Sequence, residues 1–356
     1  MVRAELGSGR AGTTVAIAAA LSLVASFASV PASAQAVPGY CAPPNKIDWP
    51  TVNPVWSLCW YAPDQTDLAD GAGLELRHVF YKGKRVFWHA TLPVLNVLYD
   101  PAGCFGSLSY RDWQDELVRF DSNNVVAPNY AEPTAPPVTA CDHPGSDSGS
   151  FTGVAAEKLS DRLILTTQMK AGWYRYIQKW TFHLDGRIEP RLGFSVVDHP
   201  CAPKPHTHHG YWRLDFDIDG FPSDRIRERK RFLFFWNKWF TRRTEAERDR
   251  GAGRRWRVQD RSSGRGYEVI PRPQDGIADA WAVADLWLLR YHGNEQDDGG
   301  ATLEPMGDAI HVSPYVNGET IDGQDVVLWY RVGHRHQGMP NCGDLEGPIL
   351  RPIGSW

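Results

Sequence analysis

Residues 205–220 constrain the fold of this chain more than any other stretch of its sequence. In the second half of the stretch, every other residue is large and apolar: Trp212, Leu214, Phe216 and Ile218. The residues between them are charged, and side chains of a β-strand point alternately to the two faces of a sheet. The pattern therefore predicts a half-buried strand, and the same alternation places His206 and His208 on its apolar face.

Two histidines with one residue between them on one strand face can bind a single metal ion. Imidazole suits copper, zinc, iron and nickel, so His206 and His208 alone do not identify the metal. Ordinary surface or core histidines are the alternative interpretation. A metal ion at this pair needs a third ligand from another part of the chain.

The remaining sequence also favours β-structure. The chain has 356 residues, among them 15 Trp, 14 Phe and 13 Tyr, and aromatic side chains favour strands and large cores. Apolar runs such as 74–81, 85–90 and 162–167 are separated by turn residues. We predict an all-β fold, a large antiparallel β-sandwich that forms one domain over 73–356. Residues 35–72, which are rich in Pro, Trp and Asp, are predicted to form an irregular N-terminal arm.

Residues 1–34 have the pattern of a secretory signal peptide. Arg3 and Arg10 precede an apolar run from Val15 to Val30, and Ala32-Ser33-Ala34 fits a cleavage site. The mature chain is therefore expected to be secreted, either periplasmic or extracellular, and its six cysteines are expected to form disulfides. The later sequence contains no apolar stretch long enough to span a membrane.

The net charge of −4 argues against a chain-wide basic field that attracts nucleic acid. Residues 225–256 are nevertheless basic, with aromatic residues between the charges. They form either a surface for an anionic partner or a hairpin with solvated arginines on one face and core aromatics on the other. The hairpin is the preferred interpretation, and no nucleic-acid partner is expected.

Several segments resemble, in consistent order, the catalytic domain of the copper-containing amine oxidases, whose cofactor is topaquinone. His206-Thr207-His208, followed by Arg213-Leu214-Asp215, is similar to the family's His-x-His copper motif and the strand after it. Residues 325–336 are similar to the segment that supplies the third copper ligand. The resemblance covers residues 73–340, and it implies that the two histidines of the motif and His336 bind copper(II).

Residues 170–176 resemble the stretch in which this family converts a tyrosine of its own chain to the quinone. The resemblance makes Tyr174 the precursor of topaquinone. Three neighbours depart from the family pattern: Lys170, Trp173 and Arg175 stand where the family has Thr, Asn and an acid. These departures concern the groups that surround the quinone.

The resemblance also implies a tyrosine and a carboxylate beside the quinone. Val97-Leu98-Tyr99 is similar to the strand whose tyrosine hydrogen-bonds a quinone oxygen, which assigns that role to Tyr99. The family segment that carries the catalytic base is deleted here, and Asp100 is the carboxylate that remains nearby. Asp100 is therefore the candidate base, and a turn residue before Pro101 is the alternative.

Three acidic residues on the opposite face of the histidine strand and its neighbour resemble the family's peripheral calcium site: Asp215, Asp217 and Asp325. Carboxylate oxygens suit calcium, and alternation puts them on the far side of the strand from the histidines. A solvated acidic face is the alternative.

The resemblance also bears on the disulfides. Cys104 lies in a segment similar to the family's disulfide strand, with Cys141 as its partner. A Cys201–Cys342 bond joins the two ligand strands if His336 is the third ligand, which leaves Cys41 and Cys59 as the third pair. This is the preferred set among the 15 pairings that six cysteines allow.

The resemblance implies copper-dependent oxidation of a small primary amine or an amine-bearing peptide by oxygen, giving aldehyde, ammonia and hydrogen peroxide. A secreted copper-binding relative without quinone chemistry is one alternative. Different copper chemistry at the same site is another. The family is dimeric, so a homodimer is expected, although the interval 208–336 is short for the family's dimerising arms.

Overall fold

The computed structural model describes residues 39–66, 73–99, 108–111, 119–127, 129–143, 149–197, 199–220, 222–232, 236–251, 253–276, 283–296, 303–305, 312–336 and 346–356. Within these ranges, no helix has both the length and the apolar character needed to cross a membrane.

Strands dominate the described chain. They are β1 (Lys46–Trp49), β2 (Trp56–Tyr61), β3 (Glu75–Tyr81), β4 (Lys84–Tyr99), β5 (Leu108–Arg111), β6 (Val125–Ala127), β7 (Tyr130–Ala131), β8 (Val154–Lys158), β9 (Arg162–Ala171), β10 (Tyr174–His183), β11 (Ile188–Val196), β12 (His206–Phe216), β13 (Asp224–Phe232), β14 (Trp236–Arg242), β15 (Ala246–Arg248), β16 (Arg255–Asp260), β17 (Gly266–Ile270), β18 (Leu286–Arg290), β19 (Leu303–Pro305), β20 (Val326–His336) and β21 (Ile349–Ile353). Short 3₁₀ helices occupy Pro63–Gln65, Pro273–Asp275 and Ser313–Tyr315.

The strands form two large sheets. The first sheet has the order β1-β2-β3-β4-β12-β20-β18-β15, with β5 beside β4 and β19 beside β5. The second sheet has the order β14-β13-β16-β17-β21-β11-β10-β9-β8-β7-β6. Neighbouring strands run antiparallel except β7 and β8. The predicted all-β antiparallel sandwich is confirmed.

The main core lies between β12 of the first sheet and β10 of the second. Trp180 and Trp212 are fully buried, and their rings meet edge to face with centroids 5.1 Å apart. Alternation decides which side chains enter this core, since Leu214 and Phe216 follow Trp212 on the same face. The histidine end of β12 lies at one end of this apolar layer.

β12 is buried along its whole length on both faces. On the face away from the main core, Tyr211 packs against Trp287 in a second apolar cluster that includes Trp329. Arg213 lies beneath the ring of Tyr291 on that face. The prediction of a half-buried strand is therefore wrong, because residues distant in sequence cover the charged face.

The segment expected to be an irregular arm contains two strands. β1 and β2 pair with each other, and β2 continues the first sheet by pairing with β3. Their apolar side chains are buried against the main core: Ile47, Trp49, Trp56, Leu58 and Trp60. Pairing of β2 with β3 makes the segment part of the first sheet, and β1 is an edge strand of that sheet. The Pro and Asp residues of the segment had favoured an irregular structure.

The structure confirms the Cys41–Cys59 disulfide, which ties the segment before β1 to β2. Cys141 and Cys201 are also disulfide-bonded. Cys104 and Cys342, their expected partners, lie outside the described residues.

Candidate metal and cofactor site

β12 carries the two histidines on its core face. His206 and His208 are 0% and 3% exposed, and their ring centroids are 4.8 Å apart. Gly210 follows on the same face, and a Cβ at this position would lie 2.6 Å from Cδ2 of Leu192 in the second sheet. Glycine therefore allows the two sheets to approach closely beside the histidines.

The second sheet brings two tyrosines to these histidines. The β9–β10 hairpin turns at Gly172 and Trp173, and Gly172 has φ 56°, which glycine adopts without a steric penalty. Tyr174 begins β10 directly after the turn, and Tyr176 follows on the same face. Both tyrosines are almost fully buried.

The phenol of Tyr174 contacts the imidazole of His206 directly. The distance from Tyr174 Oη to His206 Nε2 is 2.7 Å. His206 Nδ1 donates to the carbonyl oxygen of Lys204, so Nε2 is the nitrogen with the lone pair. The lone pair that a metal ion would use therefore faces the tyrosine oxygen.

A second phenol contacts the second histidine in the same way. Tyr176 Oη lies 2.9 Å from His208 Nδ1. Phe194 packs on the His208 ring with centroids 3.9 Å apart. The four polar rings are thus enclosed by apolar side chains, which keeps bulk water from the histidine nitrogens.

Strand register brings two further positions alongside His206. Tyr99 of β4 and His336 of β20 are each opposite His206 in the ladder. The side chains of Tyr99 and His336 lie outside the described residues, and so does Asp100. Among the side chains that the structure does describe, no group of three or more His, Cys, Asp or Glu is arranged to bind a metal ion.

The residues that depart from the family pattern lie on different sides of Tyr174. The indole of Trp173 stacks on His199 with centroids 4.0 Å apart and packs beside the Tyr174 ring. Arg175 alternates to the other face of β10, where its Nη1 donates to the carbonyl oxygens of Tyr174 and Gly172. Trp173 therefore contacts the candidate cofactor residue, whereas the Arg175 side chain points away from it.

The structure adds a histidine–carboxylate pair that the sequence did not reveal. His334 is opposite His208 in the ladder, and its Nδ1 lies 2.8 Å from Oε1 of Glu346. Burial raises the pKa of Glu346, and the hydrogen bond with His334 opposes that rise. Tyr176 was also missed, although its spacing of two residues from Tyr174 was a usable signal.

The three acidic residues of the expected calcium site are crowded on the other side of β12. Burial raises the pKa of Asp215 well above its ordinary value, Arg213 opposes this, and Asp325 and Asp217 add to it. Burial and then the charge of Asp217 raise the pKa of Asp325 to about 6. Arg85 donates to Asp217 Oδ2 at 2.6 Å, and Arg213 lies 3.6 Å from Asp215 Oδ2. Within the described residues, the Oδ1 atoms of Asp215, Asp217 and Asp325 accept no hydrogen bond. Unused buried carboxylate oxygens favour a cation.

These carboxylates open into two neighbouring cavities. Asp215 lines a cavity of about 340 Å³ together with Glu75 and His89. Asp217 and Asp325 line a second cavity of about 420 Å³. Asp217 and Asp325 therefore face a common space, and Asp215 faces the neighbouring one.

The chain is similar in sequence to a known amine oxidase. It is 25% identical to the histamine oxidase of Arthrobacter globiformis over 374 aligned positions, which cover 81% of this chain and 54% of that protein. The chain thus spans about half the length of this relative. No protein-family model matches the sequence.

Solved amine oxidase structures share the fold. The amine oxidase of Aspergillus nidulans has a TM-score of 0.56 at 18% identity, covering 84% of this chain and 50% of that chain. The copper-containing benzylamine oxidase of Hansenula polymorpha has a TM-score of 0.60 at 14% identity, covering 87% and 60%. The lysyl oxidase of Pichia pastoris has a TM-score of 0.58 at 14% identity, covering 84% and 51%. At these identities the likeness shows the fold, the large β-sandwich.

Proposed function

We propose that this protein is an exported copper amine oxidase that oxidises a small primary amine or an amine-bearing peptide with oxygen. The observation that carries the proposal is the buried contact of Tyr174 Oη with His206 Nε2 at 2.7 Å. In this proposal, aldehyde, ammonia and hydrogen peroxide are the products. The sequence similarity to a histamine oxidase supports the reaction class.

The chain's own residues fit a copper site beside a tyrosine-derived quinone. His206, His208 and His336 hold the copper ion, since imidazole is a good copper ligand. Copper bound there would supply the one-electron chemistry with oxygen by which Tyr174 would become topaquinone. The carbonyl of Lys204 keeps the lone pair of His206 on Nε2, and a partner that fixes the tautomer in this way strengthens metal binding.

We assign the remaining roles by resemblance. Tyr99 hydrogen-bonds the quinone, and Asp100 takes the proton from the substrate. Such a base is a carboxylate whose pKa is tuned for proton transfer. Trp173, which packs beside Tyr174, limits the size of amine that reaches the quinone. The protein works as a homodimer outside the cytoplasm.

Copper loading of the mature chain tests this function. We expect a chain expressed without copper to bind one Cu(II), and exposure to air to make the Tyr174 peptide reactive toward phenylhydrazine. Mass spectrometry of that peptide measures the hydrazone adduct, and release of hydrogen peroxide with added amines measures turnover. Loading with Zn(II) is the control, because zinc has no redox chemistry and leaves Tyr174 unmodified.

The opposite result distinguishes the alternative function. Stoichiometric copper with unmodified Tyr174 would identify a copper-binding relative that has lost quinone chemistry. The stacking of Trp173 on His199 next to Tyr174 is the observation that favours this alternative.

We also propose a structural calcium ion bound by Asp217 and Asp325, with Asp215 lining the neighbouring cavity. We expect calcium added to chelator-treated protein at neutral pH to raise the Tm by about 3 °C, because a ligand that binds only the folded state stabilises it. Asp217→Asn should abolish the shift, and Asp322→Asn is the matched control outside this cluster. An equal shift in both variants, measured by differential scanning fluorimetry, would place the calcium elsewhere.

A further inference from the structure

The outer face of the second sheet carries rows of arginines across adjacent strands. Arg227 of β13 is opposite Arg257 of β16, and Arg229 of β13 is opposite Arg255 of β16. Glu268 of β17 stands between Arg257 and Arg351 of β21. We call this surface the arginine face, and its members are Arg225, Arg227, Arg229, Arg255, Arg257 and Arg351.

Alternation along the strands creates the arginine face. On β13, Ile226 is fully buried between Arg225 and Arg227. On β16, Trp256 is fully buried between Arg255 and Arg257. Because the apolar residues enter the main core, the arginines between them point away from it. Directly opposite residues of an antiparallel ladder share a face, so the rows lie side by side.

The positive charge of this surface is poorly balanced. Among the described side chains of β13, β14, β16, β17 and β21, one acidic group lies on this face, that of Glu268. Its carboxylate lies 3.1 Å from Arg255, 2.8 Å from Arg257 and 3.3 Å from Arg351. Six arginines less one glutamate leave five positive charges here, although the whole chain has a net charge of −4.

The arginines repel one another where they are partly buried. Partial burial, then the charges of Arg225 and Arg257, lower the pKa of Arg227. Partial burial and then the charge of Arg255 lower the pKa of Arg229, which Glu268 only partly offsets. An anion bound across the rows would relieve this repulsion.

The spacing of the arginine face suits an extended polyanion. Neighbouring strands are about 4.8 Å apart, and residues two apart along a strand are separated by about 6.8 Å. Guanidinium groups bind sulfate and carboxylate with two parallel hydrogen bonds. The Trp239 ring lies 3.9 Å from the guanidinium carbon of Arg257 and supports it from one side. A chain with an acidic group on successive units can therefore contact several rows at once.

We propose that the arginine face binds an anionic polysaccharide whose sugar units carry sulfate or carboxylate groups. The disulfides indicate an oxidising compartment, where such polysaccharides are accessible to a protein. Single-stranded nucleic acid fits less well, because it needs aromatic platforms for its bases. Of the described side chains on this face, that of Trp239 alone is aromatic. The guanidinium of Arg257 packs on its ring, so the ring does not offer a free platform for a base.

Binding of the mature chain to immobilised dextran sulfate and polygalacturonate tests the proposal. We expect affinity for at least one of them to fall steeply between about 50 and 200 mM NaCl, as counterions compete. The double variant Arg225→Gln/Arg227→Gln should bind about tenfold more weakly and lower the salt slope by about 2. The comparison of the two polymers distinguishes sulfate from carboxylate recognition.

The matched control is Arg261→Gln/Arg290→Gln, which removes the same charge from arginines paired with Asp322 and Glu319. This control should bind both polymers like the unmodified chain, and circular dichroism should show all three proteins folded. Absence of binding at about 50 mM NaCl, or equal weakening in both double variants, would overturn the proposal. Tighter binding of DNA than of either polysaccharide, with the same dependence on Arg225 and Arg227, would overturn the assignment of the partner.

Discussion

Replacing Tyr174 by phenylalanine is expected to abolish amine oxidation, with a loss of about a thousandfold or more, or about 4 kcal/mol of transition-state stabilisation. The substitution removes the phenol oxygen that lies 2.7 Å from His206 Nε2. Without that oxygen the ring cannot become the proposed quinone. Copper-loaded Tyr174→Phe should release no hydrogen peroxide with any primary amine, and its peptide should form no phenylhydrazine adduct.

Tyr176→Phe is the matched control, because it removes one phenol oxygen from the next inward residue of β10. Tyr176 supports His208 at 2.9 Å, so its loss should weaken copper binding about tenfold, as loss of a group that orients a metal ligand does. With saturating copper, Tyr174 should still become reactive toward phenylhydrazine. Equal adduct formation in Tyr174→Phe and the unmodified chain would show that another residue is the cofactor.

Alternation in the sequence was sufficient to predict the strands that form the core. The apolar residues after His208 have a period of two, which predicts the strand β12, and the apolar runs separated by turn residues predict the other strands of the sandwich. The burial of both faces of β12 could not be read in this way, because the second apolar cluster combines Val94, Trp287 and Trp329 from three strands. Local periodicity reports which faces differ within a strand, but it does not report what a distant segment places over the polar face.

In the candidate site, too, local alternation predicted some features, whereas features that depend on distant segments could not be predicted. The alternation that placed His206 and His208 on the core face agrees with the structure, and the resemblance directed attention to Tyr174, which meets His206 there. The contact of His334 with Glu346 could not be predicted, since it depends on how residue 346 returns to β20. The roles of Tyr99, Asp100 and His336 stay predictions, because their side chains lie outside the described residues.

The arginines of β13 and β16 illustrate why charge runs are difficult to interpret. In sequence, residues 225–256 fit a hairpin with solvated arginines on one face and core aromatics on the other, and β13 and β14 do pair as a hairpin. The aromatic part of that prediction is wrong for β14, since Phe240 is 40% exposed and Trp239 lies against Arg257 on the arginine face. The charge density becomes visible only when β16 and β21 add Arg255, Arg257 and Arg351 beside it. A surface whose arginines come from three strands has no single motif in the sequence.

The strand that carries position 336 is held by a buried ion-pair network, and Asp285→Asn is expected to destabilise the fold by about 3 to 5 kcal/mol. Arg331 of β20 is 0% exposed and Asp285 is 1% exposed, and their side chains form a direct ion pair. Arg250 joins them: its guanidinium Nη2 lies 3.3 Å from Asp285 Oδ1, and its backbone N–H lies 2.7 Å from Asp285 Oδ2. Asparagine keeps the shape but leaves two buried guanidinium groups without their shared counter-charge.

Denaturant unfolding, followed by tryptophan fluorescence, measures this loss as a lower midpoint at unchanged slope. Asp322→Asn is the matched control, since its partner Arg261 has a side chain that is 44% exposed; an exposed pair contributes less than about 1 kcal/mol. Similar midpoints for the two variants would show that the Asp285 network does not stabilise β20. If the midpoint falls as expected, Asp285→Asn should also weaken copper binding, because β20 sets the position of residue 336 opposite His206. Asp285, which is far from Tyr174 in sequence, would then support both the fold and the site.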